Sequence, residues 1–127
     1  MERINIHSGT YWEDMVGYSR AVKVGNFIEV SGTVAANDDG DLVGDKNPFQ
    51  QTYFIIEKIE SSLKQLDASL EDVTRLRIYV THMKDWEEIA KAILSFFGHI
   101  RPACTLVQVT ALVDPKYLVE IEATAIK

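Results

Sequence analysis

Asn47-Pro48-Phe49-Gln50-Gln51-Thr52-Tyr53-Phe54-Ile55-Ile56-Glu57-Lys58-Ile59-Glu60-Ser61-Ser62-Leu63-Lys64-Gln65-Leu66 reads as one amphipathic helix. Asn47 is an N-cap, Pro48 sits at the first helical position, and Gln50 stands three residues after the cap as a capping-box partner. Phe49, Tyr53, Ile56, Ile59, Leu63 and Leu66 then recur at helical spacing, so one stripe is apolar and needs a surface to bury against. The helix is expected to stop near Asp67-Ala68-Ser69.

On the C-terminal side a second helix is predicted from Asp85, with Asp85 as N-cap and Glu88 closing a second capping box. Trp86, Ile89, Ala90, Ile93 and Phe97 form its predicted buried face. Gly98 is the expected stop, since glycine takes positive φ without steric cost. Strands follow from alternation. Arg20–Val24 and Phe27–Thr33 flank the turn Gly25-Asn26; Val73–Thr81, Cys104–Thr110 and Leu118–Ile126 lie further on, with Asp114-Pro115 as a break. Ile4 and Ile6 mark a short first strand, and Asn37-Asp38-Asp39-Gly40-Asp41 is a loop by composition.

The order βββαβαββ predicts an α+β sandwich: a mixed five- to six-stranded sheet with two helices on one face. Alternation assigns Phe27, Glu29, Ser31, Thr33, Arg75, Arg77, Tyr79, Cys104, Leu106, Gln108, Glu120 and Glu122 to the other face. This mixture is too apolar for a fully solvated surface and too charged for a core. It fits a subunit interface with polar pockets, so a homo-oligomer is expected.

The 127 residues, 46% hydrophobic and 25% charged, suit one domain spanning 1–127. No apolar run approaches the roughly 18–20 residues of a membrane span, and Met1-Glu2-Arg3-Ile4-Asn5 has no signal-peptide character. Cys104 is the only cysteine, which excludes an internal disulfide and a multi-cysteine zinc site. A cytoplasmic setting is expected. The net charge of −6 and the lack of a basic stripe argue against a nucleic-acid partner. His7, His82 and His99 are scattered, with none of the spacings of a metal site, and no metal or other cofactor is expected.

Arg101-Pro102-Ala103-Cys104-Thr105, then Leu112 and Val119-Glu120-Ile121-Glu122-Ala123, resembles the C-terminal signature of the YjgF/RidA family. Gly25-Asn26-Phe27-Ile28-Glu29-Val30-Ser31-Gly32 resembles its second hairpin, and Tyr18-Ser19, the Gln51 helix and Val73–Val80 fall at matching intervals. The resemblance covers nearly the whole chain. It implies a chorismate-mutase-like fold and a homotrimer with ligand clefts between subunits. It also implies hydrolysis of reactive enamines and imines to carbonyl compounds and ammonia; some family members are described as translation inhibitors or endoribonucleases.

Carried over residue by residue, the resemblance implies that Glu120 orients or activates the attacking water. Tyr18, Ser31 and Gly32 match the pocket wall, and the motif around Cys104 and Thr105 matches the other substrate-binding segment. Cys104 stands where the family has an arginine that clamps the substrate carboxylate. A thiol supplies neither the charge nor the planar pair of donors. Ala90 stands where deaminating members carry an asparagine. The resemblance therefore implies a remodelled pocket, with either an atypical enamine or imine substrate or a non-catalytic binding role.

Plainer readings stand beside these. Glu120 is also explained as an interface glutamate paired with Arg75 or Arg77, and Cys104 as a small apolar filler. Arg20 shares a strand face with Tyr18. It reads first as a solvated rim arginine and second as a replacement for the lost clamp.

Overall fold

The computed structural model describes residues 1–127. Six strands and three α-helices follow in the order β1 (Arg3–Ile6), α1 (Tyr11–Val16), β2 (Ala21–Val24), β3 (Phe27–Thr33), α2 (Pro48–Lys64), β4 (Val73–Val80), α3 (Trp86–Phe97), β5 (Ala103–Gln108) and β6 (Val119–Ile126). The sheet order is β1-β2-β3-β6-β4-β5, antiparallel throughout except for the parallel pair β4 and β5. The parallel pair needs a crossover, and α3 supplies it. Helix α1, a single short element before β2, was absent from the expected order.

The helix signals were met in different ways. Asn47 caps α2 through its side-chain oxygen, which accepts the Gln50 N–H at 3.0 Å. Asp85 makes no such bond to α3: the turn Met83–Asp85 winds as a 3₁₀ helix and leads straight into it. Gly98 does not reverse the chain, having φ −57°; Arg101, at φ 59°, takes the left-handed conformation instead. Trp86 is half exposed rather than buried.

Helices α2 and α3 lie on one face of the sheet. Ile55, Ile56, Ile59 and Leu63 of α2 and Ile89 of α3 are fully or almost fully buried against Ile28, Leu76, Ile78, Ile121 and Ala123. Burying one such aliphatic side chain contributes about 1.5–3 kcal/mol, so this interface is the main favourable term holding the layers together. Tyr53 and Phe96 join the helices at their outer rim, with ring centroids 4.6 Å apart.

Two assignments to the open face are corrected. The β3–β6 register shifts between Val30 and Thr33, a bulge that returns Thr33 to the helix side, opposite Ile121 and 1% exposed. In β5 the phase is opposite to that expected. Cys104, Leu106 and Gln108 align with Leu76, Ile78 and Val80 on the helix face, leaving Ala103, Thr105 and Val107 on the open side. Phe27, Glu29, Arg75, Arg77, Tyr79, Glu120 and Glu122 alternate with core residues of their strands, as expected of the open face.

Candidate functional site

The bulge that turns Thr33 inward also shapes a small cavity. Gly32 lies at the bulge, and a Cβ placed on it would be 2.5 Å from Oε2 and 3.0 Å from Cδ of Glu120. Glycine here makes room for the carboxylate. A cavity of about 200 Å³ forms around this contact, lined by Tyr18, Arg20, Gly32, Lys58, Glu120 and, among apolar groups, Trp12, Val16, Val34 and Val113.

Glu120 reaches this position because the start of β6 is pinned from behind. Gln51, fully buried on α2, accepts the Leu118 N–H at 2.9 Å and donates to the carbonyls of Gly44 and Lys116. Its amide is satisfied at both ends, as a buried amide must be. Burial pushes the Glu120 carboxyl above the ordinary carboxylate range; the nearby Arg20 charge opposes this and Glu122 reinforces it. Glu120 has no ion pair with Arg75 or Arg77, as no such pair lies within 4.0 Å. It is Glu122 that is engaged on the open face, by a short hydrogen bond donated by the Tyr79 hydroxyl.

Arg20 is not a solvated rim residue. It is 6% exposed, and one terminal nitrogen, Nη2, donates to the Gly32 carbonyl at 2.5 Å. Its Nε is buried and has no partner. Lys58, half-buried on α2, lines the same cavity and donates to the Ala36 carbonyl at 2.7 Å. Sequence reasoning missed Lys58, because a lysine on a helix flank looks like a solvated one. Its signal is its place one turn before the buried Ser62 and next to the core residue Ile59.

Ser31 stands beside the cavity rather than in it. Its hydroxyl donates to the Ser19 carbonyl at 2.7 Å, and with Tyr18, Glu29 and Glu122 it lines a shallower polar depression on the open face. Cys104 and Thr105 are elsewhere. Strand β4 separates β5 from β6, so within one chain they do not meet Glu120. Thr105 accepts a 3.3 Å hydrogen bond from Arg75 on the open face. Cys104 instead lines an apolar groove under α3, with Ala90, Ile93, Leu94, Phe97 and Leu106. Burial raises the Cys104 pKa, with Arg75 opposing it only in part, so the thiol is a poor nucleophile at neutral pH. No cluster of three or more His, Cys, Asp or Glu side chains is placed to hold a metal ion.

The layering and the carboxylate-lined cavity where the central strands β3 and β6 meet define a class of small α+β proteins. The Endoribonuclease L-PSP family profile matches residues 12–127. A RutC family protein of Pyrococcus abyssi is 38% identical over 113 residues, 87% of this chain and 86% of that one. The 3-aminoacrylate deaminase RutC of Acinetobacter baylyi is 33% identical over 108 residues, covering 85% of each chain. The crystal structure of Rv2704 from Mycobacterium tuberculosis, a member of the YjgF/YER057c/UK114 family, superposes with TM-score 0.90 at 41% identity, covering 99% of this chain and 100% of that one. The chain belongs to the YjgF/RidA family, and its architecture is the chorismate-mutase-like α+β fold of that family. No helix is long and apolar enough to cross a membrane.

Proposed function

We propose that this chain, as one domain, binds a small metabolite in a cleft completed between the subunits of a cytoplasmic homotrimer. There it hydrolyses an enamine or imine to a carbonyl compound and ammonia. The observation that carries this reading is Glu120, a carboxylate with a raised pKa at the wall of a small cavity and given room by Gly32. The relative named 3-aminoacrylate deaminase supports the reaction type. The mixed polar and apolar open face supports assembly, with Phe27 57% exposed among charged neighbours.

The chemistry assigned to Glu120 is modest. Protonation of the enamine at carbon, by a proton from solvent, gives the iminium ion. Ionised Glu120 takes a proton from water as the water oxygen adds to the iminium carbon, which gives a neutral carbinolamine. Protonated Glu120 returns that proton to nitrogen, the C–N bond breaks and ammonia leaves; the hydroxyl proton goes to solvent, balancing the one taken up at carbon, and the carbonyl forms. Positioning of the water supplies much of the acceleration. Tyr18 and Gly32 shape the wall, and Ser31 orders the strand beside it. Cys104 and Thr105 would enter the cleft from a neighbouring subunit, Cys104 as a neutral surface where the family has a cation.

A second reading, a non-catalytic ligand-binding or regulatory module, is favoured by that neutral thiol and by Ala90 in the same groove. Ammonia release from freshly generated 2-aminoacrylate, 2-iminobutyrate and 3-aminoacrylate separates the two. Release above the uncatalysed rate that disappears in Glu120→Ala supports the hydrolase. No release with any of them, or full activity in Glu120→Ala, rejects it. Sedimentation at micromolar concentration tests the trimer, which a clean monomer would exclude.

A further inference from the structure

Arg20 and Lys58 are two cations in or near the protein interior, and each is satisfied only by a neutral backbone carbonyl. No carboxylate lies within 4.0 Å of either one. Glu13, a buried acid whose charge acts on Arg20, is occupied: Ser8 donates to it from backbone and side chain, and Thr10 from its hydroxyl. Glu13, Glu120 and Asp38 act on the two cations only across longer gaps. Burying a charge without a close counter-ion is costly, so the arrangement calls for an anion from outside the chain.

We propose that Arg20 and Lys58 together hold the carboxylate of a small monocarboxylic acid in the Glu120 cavity. The proposal rests on the reading of that cavity as the ligand cleft, and what it adds is the pair of cations, Arg20 and above all Lys58, that would take over a carboxylate the residue at Cys104 cannot hold. Three observations carry it. Both cations line the same cavity as Glu120. Arg20 keeps a buried, unpartnered Nε with only one hydrogen bond made by its whole guanidinium. Lys58 has three ammonium protons and one recorded acceptor. Burial together with Arg20 depresses the Lys58 pKa, and a bound anion would relieve that repulsion.

The part of the cleft that one chain lines also bears on what the anion can be. Its volume of about 200 Å³ compares with the roughly 30 Å³ share of one water in the liquid, which leaves space for a molecule of a few heavy atoms. Trp12, Val16, Val34 and Val113 offer an apolar wall to a short aliphatic chain. A planar carboxylate matches the guanidinium fork. A phosphate dianion would place a second negative charge in the space that Glu120 also lines, so the monocarboxylate is the better fit.

The experiment is isothermal titration calorimetry of the intact protein with 2-oxobutyrate, 2-butanone and inorganic phosphate. The expected result is that 2-oxobutyrate binds and that Lys58→Met weakens it at least about tenfold, about 1.4 kcal/mol or more. Lys58→Arg should keep affinity within about threefold, since it preserves the charge. Circular dichroism melts show that both variants are folded, and retained affinity in Lys58→Arg separates lost charge from lost structure. The proposal is overturned if Lys58→Met binds 2-oxobutyrate like the parent, if 2-butanone binds equally well, or if phosphate binds more tightly. Calorimetry needs no turnover, so a protein that binds 2-oxobutyrate yet releases no ammonia would reject the hydrolase reading and leave this one standing.

Discussion

Gly32 and Glu120 are in contact such that a methyl group on the glycine would lie 2.5 Å from the carboxylate oxygen. The glycine is required here by space, not by a left-handed backbone. Gly32→Ala must therefore move Glu120 out of the cavity wall or shift the bulge. Turnover or ligand affinity should fall at least about tenfold, while stability changes by only about 1 kcal/mol. Steady-state kinetics and urea denaturation check both halves. An alanine variant with full activity would show that the Glu120 position is not needed.

Gln51 provides the second prediction. Gln51→Leu keeps the helix but leaves the Leu118 N–H and the Lys116 carbonyl without the partner Gln51 supplies, while the Gly44 carbonyl keeps the Asn47 N–H. Each buried unpaired group costs about 1–3 kcal/mol, so urea unfolding should show a loss of about 3 kcal/mol. A loss below about 1 kcal/mol would mean that water reaches these groups easily.

The pH dependence of stability has opposite signs at two acids. The folded-state pKa of Glu120 is raised, so between its unfolded and folded values the native state holds more protons. Stability from this group is lost as pH rises through that window above the ordinary carboxylate value. Glu120→Gln should gain stability relative to the parent over the same interval. Glu13 behaves in reverse. Burial pushes its pKa up, but the Ser8 and Thr10 hydrogen bonds and the Arg20 charge outweigh this and hold it below the ordinary value. Its contribution is present above the unfolded pKa and is lost as pH falls toward the folded one. Urea titrations of the parent, Glu120→Gln and Glu13→Gln from neutral pH down to pH well below the ordinary carboxylate value test both signs.

Cys104 should alkylate slowly at neutral pH even though it is exposed in the single chain. The reactive species is the thiolate, and burial disfavours it. Labelling by iodoacetamide followed by intact-mass spectrometry should be slower than for the unfolded protein and should accelerate only in alkaline buffer. Rapid labelling at pH 7 would reinstate a reactive role for this residue.

Much of the fold could be read from local signals. The α2 boundaries follow from Asn47 and Pro48 because capping depends on neighbouring residues alone. The hairpin at Gly25-Asn26 and the inward face of β6 follow from turn chemistry and strict alternation. The phase of β5 did not: it is an edge strand with only one residue better than exposed, Leu106, so its pattern is weak. Thr33 was misplaced because a bulge breaks the period of two that alternation assumes. Family resemblance pointed to Tyr18, Gly32 and Glu120, and these three line one cavity. The burial of Arg20 and the presence of Lys58 depend on how α2 crosses the start of β2, which no local pattern encodes.

The strand order has a consequence for the timing of assembly. Strand β6, the last of the strands in sequence, is inserted between β3 and β4 rather than added at an edge. Phe27 finds its partner Ile126 nearly a full chain length away. On a ribosome, the N-terminal hairpin and both long helices emerge while the centre of the sheet is still empty. The Gly32–Glu120 contact then forms only after β6 has emerged. Such non-local pairing slows folding and leaves the two inner strand edges open to pairing with other chains in the interim.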